Sequence, residues 1–445
     1  MTAPLDLRTA ATRLRHAALR AVDPAEAVYK TMSRVGDQLL IGQQAYSLPD
    51  FGHVYVVGAG KAAVPMAEAV CEVLRDNLTS GFIITKYGHI DRPLPDRLTV
   101  REAGHPVPDE SSVASTAHLA ARLQSADARD LVIAVISGGG SALMTLPATG
   151  LSLADLQATT QLLLRAGATI HQINSIRKHL DIIKGGGLAR LANGAVLVTL
   201  ILSDVIGDDL SVIASGPTAP DPSTFEDAWR VIEHFNLSDQ LPAAVRDHLR
   251  RGRRGEIADT LKPGDPIFAR VQTVIIGSNA RAAQAAEAEA RRLGFNALLL
   301  STSVQGEARE VAKVVAAIAQ EIRRYNRPVA RPACVIMGGE TTVTLTGSGL
   351  GGRNQELALA AALAIDGLAD TLIVAFGTDG TDGPTDAAGA IATGETVRRG
   401  KSIGLEAAAY LANNNSYSYF KALDDLIVTG PTGTNVNDLV LVLVS

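Results

Sequence analysis

The sequence of 445 residues predicts an α/β protein built from two domains. Apolar segments of four to eight residues recur along the chain, and each ends in glycines and is followed by an alanine-rich stretch. This order of strand, loop and crossover helix is typical of parallel sheets that helices cover on both faces. With 47% apolar and 20% charged residues, the composition supports large hydrophobic cores and excludes a disordered chain.

The charge and the cysteine content exclude several classes of function. A net charge of −5 with 4% aromatic residues supplies neither a basic footprint nor stacking platforms for nucleic acid. Cys71 and Cys334 form neither a disulfide framework nor a CxxC metal site, which predicts a reducing compartment, the cytoplasm. No apolar run reaches the ~18 residues of a membrane span. We therefore expect small-molecule partners, and neither nucleic acid nor a membrane.

In the N-terminal half, a helix with apolar and basic residues precedes a run of predicted strands. The helix ends near Asp23 and Pro24, which suit the cap and the first position of a second helix. The strands are rich in Val, Ile and Leu, and they are His53 to Val57, Phe82 to Thr85, Leu131 to Ile136 and Val196 to Leu202. Near-continuous apolar strands predict a parallel sheet.

A linker is predicted between about Ser238 and Pro266, where prolines, glycines and four arginines lie together without an apolar period. We divide the domains at 255/256. Beyond it the predicted elements are strands Thr273 to Ile276 and Ala297 to Leu300, and helices Asn279 to Leu293 and Glu307 to Tyr325. These elements fit a second doubly wound unit. The alternation in Thr341 to Thr346 favours a mixed sheet instead, so both architectures stay open.

The residues that follow the strands carry the candidate chemistry, because ligands of open α/β sheets bind beyond the carboxyl ends of strands. The segment Gly58 to Ala63 fits the dinucleotide fingerprint G-x-G-x-x-G/A, and Lys61 at a helix start suits an anion. The next strand ends at Thr85 and Lys86 without the acidic residue that would hold a ribose. Lys86 therefore argues against NAD and leaves NADP open.

Other polar loops follow the same logic. Three glycines in Ser137 to Ser141 let backbone N–H groups approach an oxyanion closely. Asp204 and Asp379 each follow an apolar strand, where a carboxylate can orient a hydroxyl, take its proton or hold Mg²⁺. Arg353 begins a helix, where a guanidinium can hold a phosphoryl group by two hydrogen bonds.

Ten blocks in order along the chain together resemble the class II glycerate 2-kinases, whose C-terminal half is called the MOFRL domain. They are Gly58 to Ala63, Gly104 to Asp109, Ser137 to Ala142, Asn174 to His179, Lys184 to Gly187, Leu202 to Val205, Ser215 to Thr218, Gly338 to Thr341, Gly351 to Glu356 and Gly377 to Gly383. The resemblance implies Mg²⁺-dependent transfer of a phosphoryl group from ATP to the 2-hydroxyl of D-glycerate, giving 2-phosphoglycerate and ADP. It also implies a Rossmann-like N-terminal domain, a C-terminal α/β domain with a mixed sheet, and an active site in the cleft between them.

The resemblance places the main roles on Lys61, Asp204 and Arg353. We expect Asp204 to orient or deprotonate the glycerate hydroxyl, and Lys61 and Arg353 to balance phosphate and carboxylate charge. The expected substrate and phosphate contacts are Gly60, Ser137, Gly138, Gly139, Gly140, Ser141, Asn174, Arg177 and Lys178. The expected nucleotide contacts are Lys184, Gly339, Glu340, Asn354, Glu356, Thr378 and Asn435, and the expected metal ligands are Asp379 and Asp382.

Two other functions stay open from the sequence. One is an NAD(P)H-dependent hydroxypyruvate reductase, a label that members of this family have also carried and that the Gly58 to Ala63 fingerprint supports. The other is a non-catalytic sensor of phosphorylated sugars or acids, which would use the glycine loops but has no need of Asp204 and Asp379 as titratable groups. The oligomeric state, with a homodimer as one option, is also open.

Overall fold

Two six-stranded sheets organise the part of the chain that the computed structural model describes, residues 6–90 and 93–445. The strands are β1 (Met32–Val35), β2 (Gln38–Ile41), β3 (Gln44–Ser47), β4 (Val54–Ala59), β5 (Ser80–Lys86), β6 (Leu98–Ala103), β7 (Leu131–Ile136), β8 (Val196–Leu202), β9 (Val271–Gly277), β10 (Asn296–Glu307), β11 (Ala333–Thr342), β12 (Thr371–Gly377), β13 (Gly389–Thr393), β14 (Leu426–Ile427) and β15 (Asp438–Val444).

Helices connect most of these strands. They are α1 (Leu7–Ala21), α2 (Pro24–Thr31), α3 (Ala63–Leu74), α4 (Glu110–Gln124), α5 (Gly140–Leu143), α6 (Leu153–Arg165), α7 (Ile170–Leu180), α8 (Gly187–Leu191), α9 (Phe225–His234), α10 (Ala243–Arg253), α11 (Asn279–Arg292), α12 (Ala308–Tyr325), α13 (Arg353–Ala364), α14 (Thr396–Ser402), α15 (Ala407–Ala412) and α16 (Ser416–Leu423). No helix in the described ranges is long and apolar enough to cross a membrane.

By their internal packing the described residues form two units. The N-terminal unit consists of residues 24–203 and 208–276, and the C-terminal unit consists of α1 with Val22 and Asp23, residues 204–207 and residues 277–445. The domain division at 255/256 stays a prediction. The segment predicted as a linker contains α10, which buries Val245, His248 and Leu249 against the N-terminal unit's helices. Its apolar residues are too few to stand out beside the four arginines, so the sequence pattern missed this helix.

The sheet of the N-terminal unit has the strand order β6-β5-β4-β7-β8-β9. Strand β4 pairs in parallel with β5 on one side and with β7 on the other, and β7 continues in parallel to β8. The predicted parallel sheet is therefore confirmed. The chain order reverses between β4 and β7, which creates the switch point where open α/β sheets bind ligands. A separate three-stranded antiparallel sheet, β1-β2-β3, was not predicted, because its strands are short and partly polar.

A group of helices in the same unit positions several predicted site residues. Helices α6, α7, α9 and α10 enclose a core that includes Leu163, Ile173 and Trp229. Helix α7 begins with a capping box in which the Thr169 hydroxyl and the Gln172 amide satisfy backbone N–H groups. Helix α7 carries three predicted site residues, Asn174, Arg177 and Lys178.

The C-terminal unit contains a mixed sheet of order β10-β11-β15-β12-β13-β14, so the mixed-sheet alternative is confirmed. Strand β15 lies antiparallel between β11 and β12. Its first residue, Asp438, pairs with Gly339 of β11 and Gly377 of β12. The N-terminal end of β15 therefore meets the carboxyl ends of its two neighbours. Strand β11 ends at Thr342, so most of the alternating threonine segment lies beyond the sheet.

Candidate functional site

Two loops interlock at the switch point of the N-terminal sheet, one after β4 and one after β7. The backbone N–H of Lys61 donates to the Gly138 carbonyl at 2.9 Å, and the N–H of Ala62 donates to the Ser137 hydroxyl at 3.0 Å. A Cβ atom on Gly60 would lie 2.1 Å from Ser137 Oγ, and one on Gly58 would lie 1.9 Å from the Val135 carbonyl oxygen. Only glycine fits at these two positions, and the two loops form one packed body.

This interlocking changes which groups are available to an anion. The N–H groups of Lys61 and Ala62 already donate to protein oxygens, so the start of α3 offers less than the sequence predicted. Within the described residues, the N–H groups of Gly138 and Gly139 donate to no protein acceptor. A Cβ atom on Gly139 would lie 3.6 Å from Lys61 Cγ, so the Lys61 side chain runs beside this glycine. The Lys61 ammonium and the two glycine N–H groups are therefore available as donors to an anion here.

His105 lies beside Gly139 and was not among the predicted site residues. Its ring Cδ2 atom would be 2.9 Å from a Cβ on Gly139. Burial, and then the positive charges of Lys61 and Lys86, lower the pKa of His105 to about 4. The imidazole is therefore neutral at pH 7 and can accept a hydrogen bond. His105 lies in the block Gly104 to Asp109 that contributes to the family resemblance, but no role was assigned to it. The strand before it, β6, contains Thr, Arg and Glu as well as apolar residues, so it did not stand out as a buried strand.

Asn174 and Ser141, both predicted as substrate contacts, are linked through the Ser215 hydroxyl. The Ser141 and Ser215 hydroxyls are 2.8 Å apart, and Ser215 Oγ donates to Asn174 Oδ1 at 3.2 Å. Asn174 and Ser215 are both buried. The start of α5 and the middle of α7 are thus joined through a chain of polar side chains.

Three basic residues, predicted as substrate contacts (Arg177 and Lys178) and as a nucleotide contact (Lys184), have protein partners. Lys178 Nζ lies 3.2 Å from Asp221 Oδ1, and Lys184 Nζ lies 2.6 Å from Asp181 Oδ2. Both lysines are buried and line a cavity of about 350 Å³. Burial lowers the pKa of Lys184 against the opposing effect of Asp181. Arg177 makes a long hydrogen bond of 3.4 Å to the Thr160 hydroxyl. Their predicted contacts with substrate or nucleotide stay predictions.

In the C-terminal unit, Arg353 opens α13 and is held by two carboxylates. Its Nε donates to Asp438 Oδ2 at 2.6 Å, its Nη2 donates to Asp438 Oδ1 at 3.0 Å, and its Nη1 donates to Glu340. Burial lowers the pKa of the Arg353 guanidinium, but Asp438 and Glu340 raise it by more, so the pKa lies above its ordinary value. Burial also raises the pKa of Asp438 to about 6, although Arg353 opposes that shift. Asp438 was not predicted as a site residue.

Asp382, predicted as a metal ligand, and Glu356, predicted as a nucleotide contact, both accept hydrogen bonds from protein groups. The Asp382 carboxylate accepts the backbone N–H of Asn354 at 3.1 Å and of Gln355 at 2.8 Å, and it thereby caps α13. The Asn354 side-chain amide donates to the same carboxylate at 3.3 Å. Glu356 accepts from Arg309 Nε at 3.0 Å and from the Asn414 amide at 2.9 Å. Both carboxylates are buried, so these bonds stabilise the first turn of the helix that begins with Arg353.

Two further loops meet beside this helix. The Thr378 hydroxyl donates to the Asn437 carbonyl at 2.7 Å and accepts the N–H of Val436 at 2.8 Å. The Asn435 side chain accepts the N–H of Asn437 at 3.2 Å. Asp379 accepts the N–H of Thr381 through Oδ1 at 3.0 Å, and no described residue donates to its Oδ2. Across residues 6–90 and 93–445, no group of three or more His, Cys, Asp or Glu side chains is arranged to hold a metal ion.

The three residues predicted to be catalytic belong to different parts of the chain. Lys61 belongs to the N-terminal unit, whereas Asp204 and Arg353 belong to the C-terminal unit. Asp204 is the second residue after β8 and is partly buried. Each of the three lies beyond a strand end or at a helix start, as the sequence predicted.

Comparison with known proteins assigns the family. The model described as "Domain of unknown function (DUF4147)" matches residues 10–250, and the MOFRL family model matches residues 333–438. The chain is 44% identical over 442 residues to the glycerate 2-kinase of Pyrococcus horikoshii, covering 99% of this chain and 98% of that protein. It is 40% identical over 441 residues to the D-glycerate 2-kinase of Thermotoga maritima, covering 99% of each. A putative hydroxypyruvate reductase of Agrobacterium vitis is 43% identical over 400 residues, covering 88% of this chain and 87% of that protein.

Solved structures agree with these sequence matches. The chain superimposes on a crystal structure of a Pyrococcus horikoshii protein with a TM-score of 0.89, at 44% identity and with 100% of both chains covered. It superimposes on the crystal structure of a Thermotoga maritima glycerate kinase with a TM-score of 0.88, at 40% identity and with 99% of both chains covered. The chain therefore belongs to the family of glycerate 2-kinases that carry a C-terminal MOFRL domain.

Proposed function

We propose that this chain transfers the terminal phosphoryl group of ATP to the 2-hydroxyl of D-glycerate, giving 2-phosphoglycerate and ADP. The observation that carries the proposal is the Lys61 side chain beside two glycine N–H groups, at the switch point of a chain similar over its full length to named glycerate 2-kinases. Phosphoryl transfer asks a protein mainly for positioning and for stabilisation of negative charge. A lysine and rigid backbone donors supply both.

The roles of the side chains follow from the bonds they already make. Lys61 with the N–H groups of Gly138 and Gly139 stabilises anionic oxygens of the reacting group. Arg353 has five N–H donors and uses three of them on Asp438 and Glu340, so two remain for a carboxylate or a phosphoryl oxygen. Asp204 orients the glycerate 2-hydroxyl or accepts its proton. The neutral imidazole of His105 accepts a hydrogen bond from a substrate hydroxyl.

For the nucleotide we propose contacts from Gly339 of β11 and from the loop that carries Asn435. Lys184 and Glu356 are less suited to this role, because Asp181, Arg309 and Asn414 already occupy their polar atoms. Hydrogen bonds link Thr378 to Val436 and Asn437, so the two loops that carry these residues form a rigid surface beside α13. Rigid donors and acceptors cost little to organise when a ligand binds.

The residues present also fit a Mg²⁺ ion held with the nucleotide. Mg²⁺ keeps several waters and takes only one or two carboxylates from the protein. Asp379 fits this requirement, since it is partly exposed and its Oδ2 accepts no hydrogen bond from the described residues. Asp382 fits less well as a direct ligand, because both of its oxygens cap α13. When bound, Mg²⁺ would neutralise charge on the phosphates.

A reductase acting on hydroxypyruvate is the second candidate, because two relatives carry that name and because Gly58 to Ala63 forms a strand-turn-helix. The interlocked loops argue against it. In a dinucleotide site the helix N-terminus and the glycines face the pyrophosphate. Here the N–H groups of Lys61 and Ala62 donate to the β7 loop, and Ser137 fills the space beside Gly60. The kinase is therefore the better-supported activity.

The test is to incubate the purified chain with D-glycerate, ATP and Mg²⁺ and to follow the products by phosphorus NMR. A parallel sample contains hydroxypyruvate with NADH or NADPH. We expect a 2-phosphoglycerate signal and constant nicotinamide absorbance. Nicotinamide oxidation without phosphoryl transfer would establish the reductase instead, and binding of D-glycerate with neither reaction would favour a sensor.

A matched pair of lysine variants tests the site. Lys61→Ala should lower kcat by about 100-fold or more, which is the size of effect seen when a donor to developing negative charge is removed. Lys30→Ala, on the exposed side of α2 in the same unit, should leave kcat unchanged. If both variants kept the wild-type rate, the anion site would not lie at the Lys61 loop.

A further inference from the structure

Asp438 occupies a special position in the C-terminal sheet. It is the first residue of β15, and the residues paired with it on both neighbouring strands are glycines, Gly339 and Gly377. The Asp438 carboxylate lies beside Gly377, because a Cβ atom there would be 3.4 Å from Asp438 Oδ1. Asp438 is 5% exposed, and a carboxylate this deeply buried needs a partner.

The backbone of Asp438 is itself held in place. The Asn279 side-chain amide, at the start of α11, donates to the carbonyl of Asp438 at 2.9 Å and to the carbonyl of Val436 at 2.8 Å. Asn279 is also buried. The pairing of β15 with β11 and β12, together with the Asn279 amide, fixes the backbone from which the Asp438 side chain extends.

The partner that Asp438 finds is Arg353. Both carboxylate oxygens accept from the guanidinium, at 2.6 Å to Nε and 3.0 Å to Nη2, which fixes the plane of the group as well as its position. The second carboxylate on Arg353 is different. Glu340 accepts only one N–H of Arg353, its other oxygen accepts the Asn437 amide at 3.1 Å, and its side chain is 43% exposed. Planar, two-point contact from a buried residue orients a guanidinium, whereas a one-point contact from an exposed residue does not.

We propose that Asp438 is the positioning residue for Arg353, and that its carboxylate aims the two remaining N–H donors of Arg353 at the reacting group. The proposal rests on the role given to Arg353 in the proposed function. Asp438 is not a catalytic residue in this scheme, since Arg353 lies between it and the substrate. The sequence distance of 85 residues between the two explains why no local motif joins them.

The first test is a double-mutant cycle on kcat for glycerate phosphorylation. Asp438→Asn keeps the size of the side chain and one acceptor but removes the charge, and it should lower kcat by about 10- to 100-fold. In the Arg353→Lys background, which has no planar fork to orient, the same change should alter kcat less than about twofold. An equal loss in both backgrounds would mean that Asp438 acts independently of Arg353, and would overturn the proposal.

The matched control is Asp425→Asn. Asp425 is also a buried carboxylate of the C-terminal unit, and it pairs with Arg8 and Arg399, at 2.7 Å in each case. Removing its charge breaks a comparable buried pair without touching Arg353, so kcat should stay within about twofold of the wild type. A fall as large as that of Asp438→Asn would assign the loss to general damage and count against the proposal.

The second test does not depend on turnover. The rate at which 2,3-butanedione modifies Arg353 is measured by peptide mass spectrometry in the wild type and the variants. Asp438→Asn should raise this rate at least about fivefold, and Asp425→Asn should leave it unchanged. An unchanged rate in Asp438→Asn would refute the positioning role. If the wild type does not phosphorylate glycerate, the proposed function fails, and this measurement alone decides whether Asp438 orients Arg353.

A further variant keeps the proposal falsifiable if Asp438→Asn does not fold. Glu340→Gln leaves Asp438 as the one carboxylate on Arg353, so butanedione reactivity should rise by less than about twofold. A fivefold rise or more would show that Glu340 does the positioning, and would overturn the proposal.

Discussion

Replacing Gly60 by alanine tests whether the two loops at the switch point act as one body. The new Cβ atom would lie 2.1 Å from Ser137 Oγ and 2.7 Å from the Ser137 carbonyl oxygen, so the loops must move apart. Gly60 also has a φ of +143°, which a residue with a side chain rarely adopts. The backbone cost is at least about 1 kcal/mol, and forced overpacking adds about 1–3 kcal/mol.

Gly88→Ala is the matched control. Gly88 follows β5 in the same unit and also has a positive φ, +78°, but a Cβ atom there would meet nothing within 4 Å. It should therefore cost only the backbone term of about 1 kcal/mol. The difference between the two variants isolates the close contact with Ser137, at about 1–3 kcal/mol.

Trp229 provides the assay. It is the one tryptophan of the chain, it is 4% exposed, and it lies on α9 in the N-terminal unit. Urea unfolding followed by its fluorescence should place the midpoint of Gly60→Ala about 0.3–1 M below that of Gly88→Ala, for a slope near 3 kcal/mol per M. Equal midpoints would refute the argument that the loops constrain each other. We also expect kcat to fall in Gly60→Ala and not in Gly88→Ala, because only the former moves Lys61.

Two further predictions concern metal binding and pH. Asp379→Asn should raise the Mg²⁺ concentration for half-maximal rate by about tenfold or more, because it removes the charge of the proposed ligand. The control is Asp386→Asn, at an exposed aspartate of the same region. Equal Mg²⁺ requirements in the two variants would show that Asp379 is not a metal ligand. Asp259→Asn should lower the stability of the N-terminal unit by about 1 kcal/mol at pH 7, a small value because a third of the Asp259 side chain is exposed. Burial raises the pKa of Asp259, but His179 and Lys262 outweigh it and hold that pKa below 3.8. A depressed carboxyl pKa stabilises the fold above about pH 4 and loses this effect as the pH falls, so the deficit of Asp259→Asn should shrink below pH 4. A deficit that stays constant down to pH 3 would refute the ion-pair explanation, and Trp229 fluorescence measures it.

Much of the N-terminal unit could be predicted from sequence. Strands such as β7 and β8 are nearly unbroken runs of Val, Ile and Leu, which only a sheet covered on both faces requires. The glycines after β4 and β7 predicted backbone that approaches an anion closely, and that role stays a prediction. The packing of the two loops against each other was not predicted. The Cβ distances show that Gly60 faces Ser137, a protein group.

Other features were invisible because their signal is short or polar. Strands β1 to β3 have four residues each, too few for an alternation to be read. Helix α10 buries three residues among several arginines, so its apolar stripe is narrow. His105 follows a strand of mixed composition at the edge of the sheet. In each case the neighbouring elements, and not the local residues, determine the structure.

The sequence by itself determined the family, the α/β class and the positions of the polar loops, because these depend on local patterns and on the order of blocks along the chain. The tertiary structure alone decided which charged groups have partners. Lys178 and Lys184 meet Asp221 and Asp181, Asp382 meets the start of α13, and Asp379 keeps one oxygen without a donor among the described residues. Arg353 meets Asp438 because β15 runs antiparallel between β11 and β12, which brings the beginning of one strand to the ends of two others. The physical reason is that pairing depends on the order and direction of strands in the sheet, and residue spacing along the chain does not encode either one.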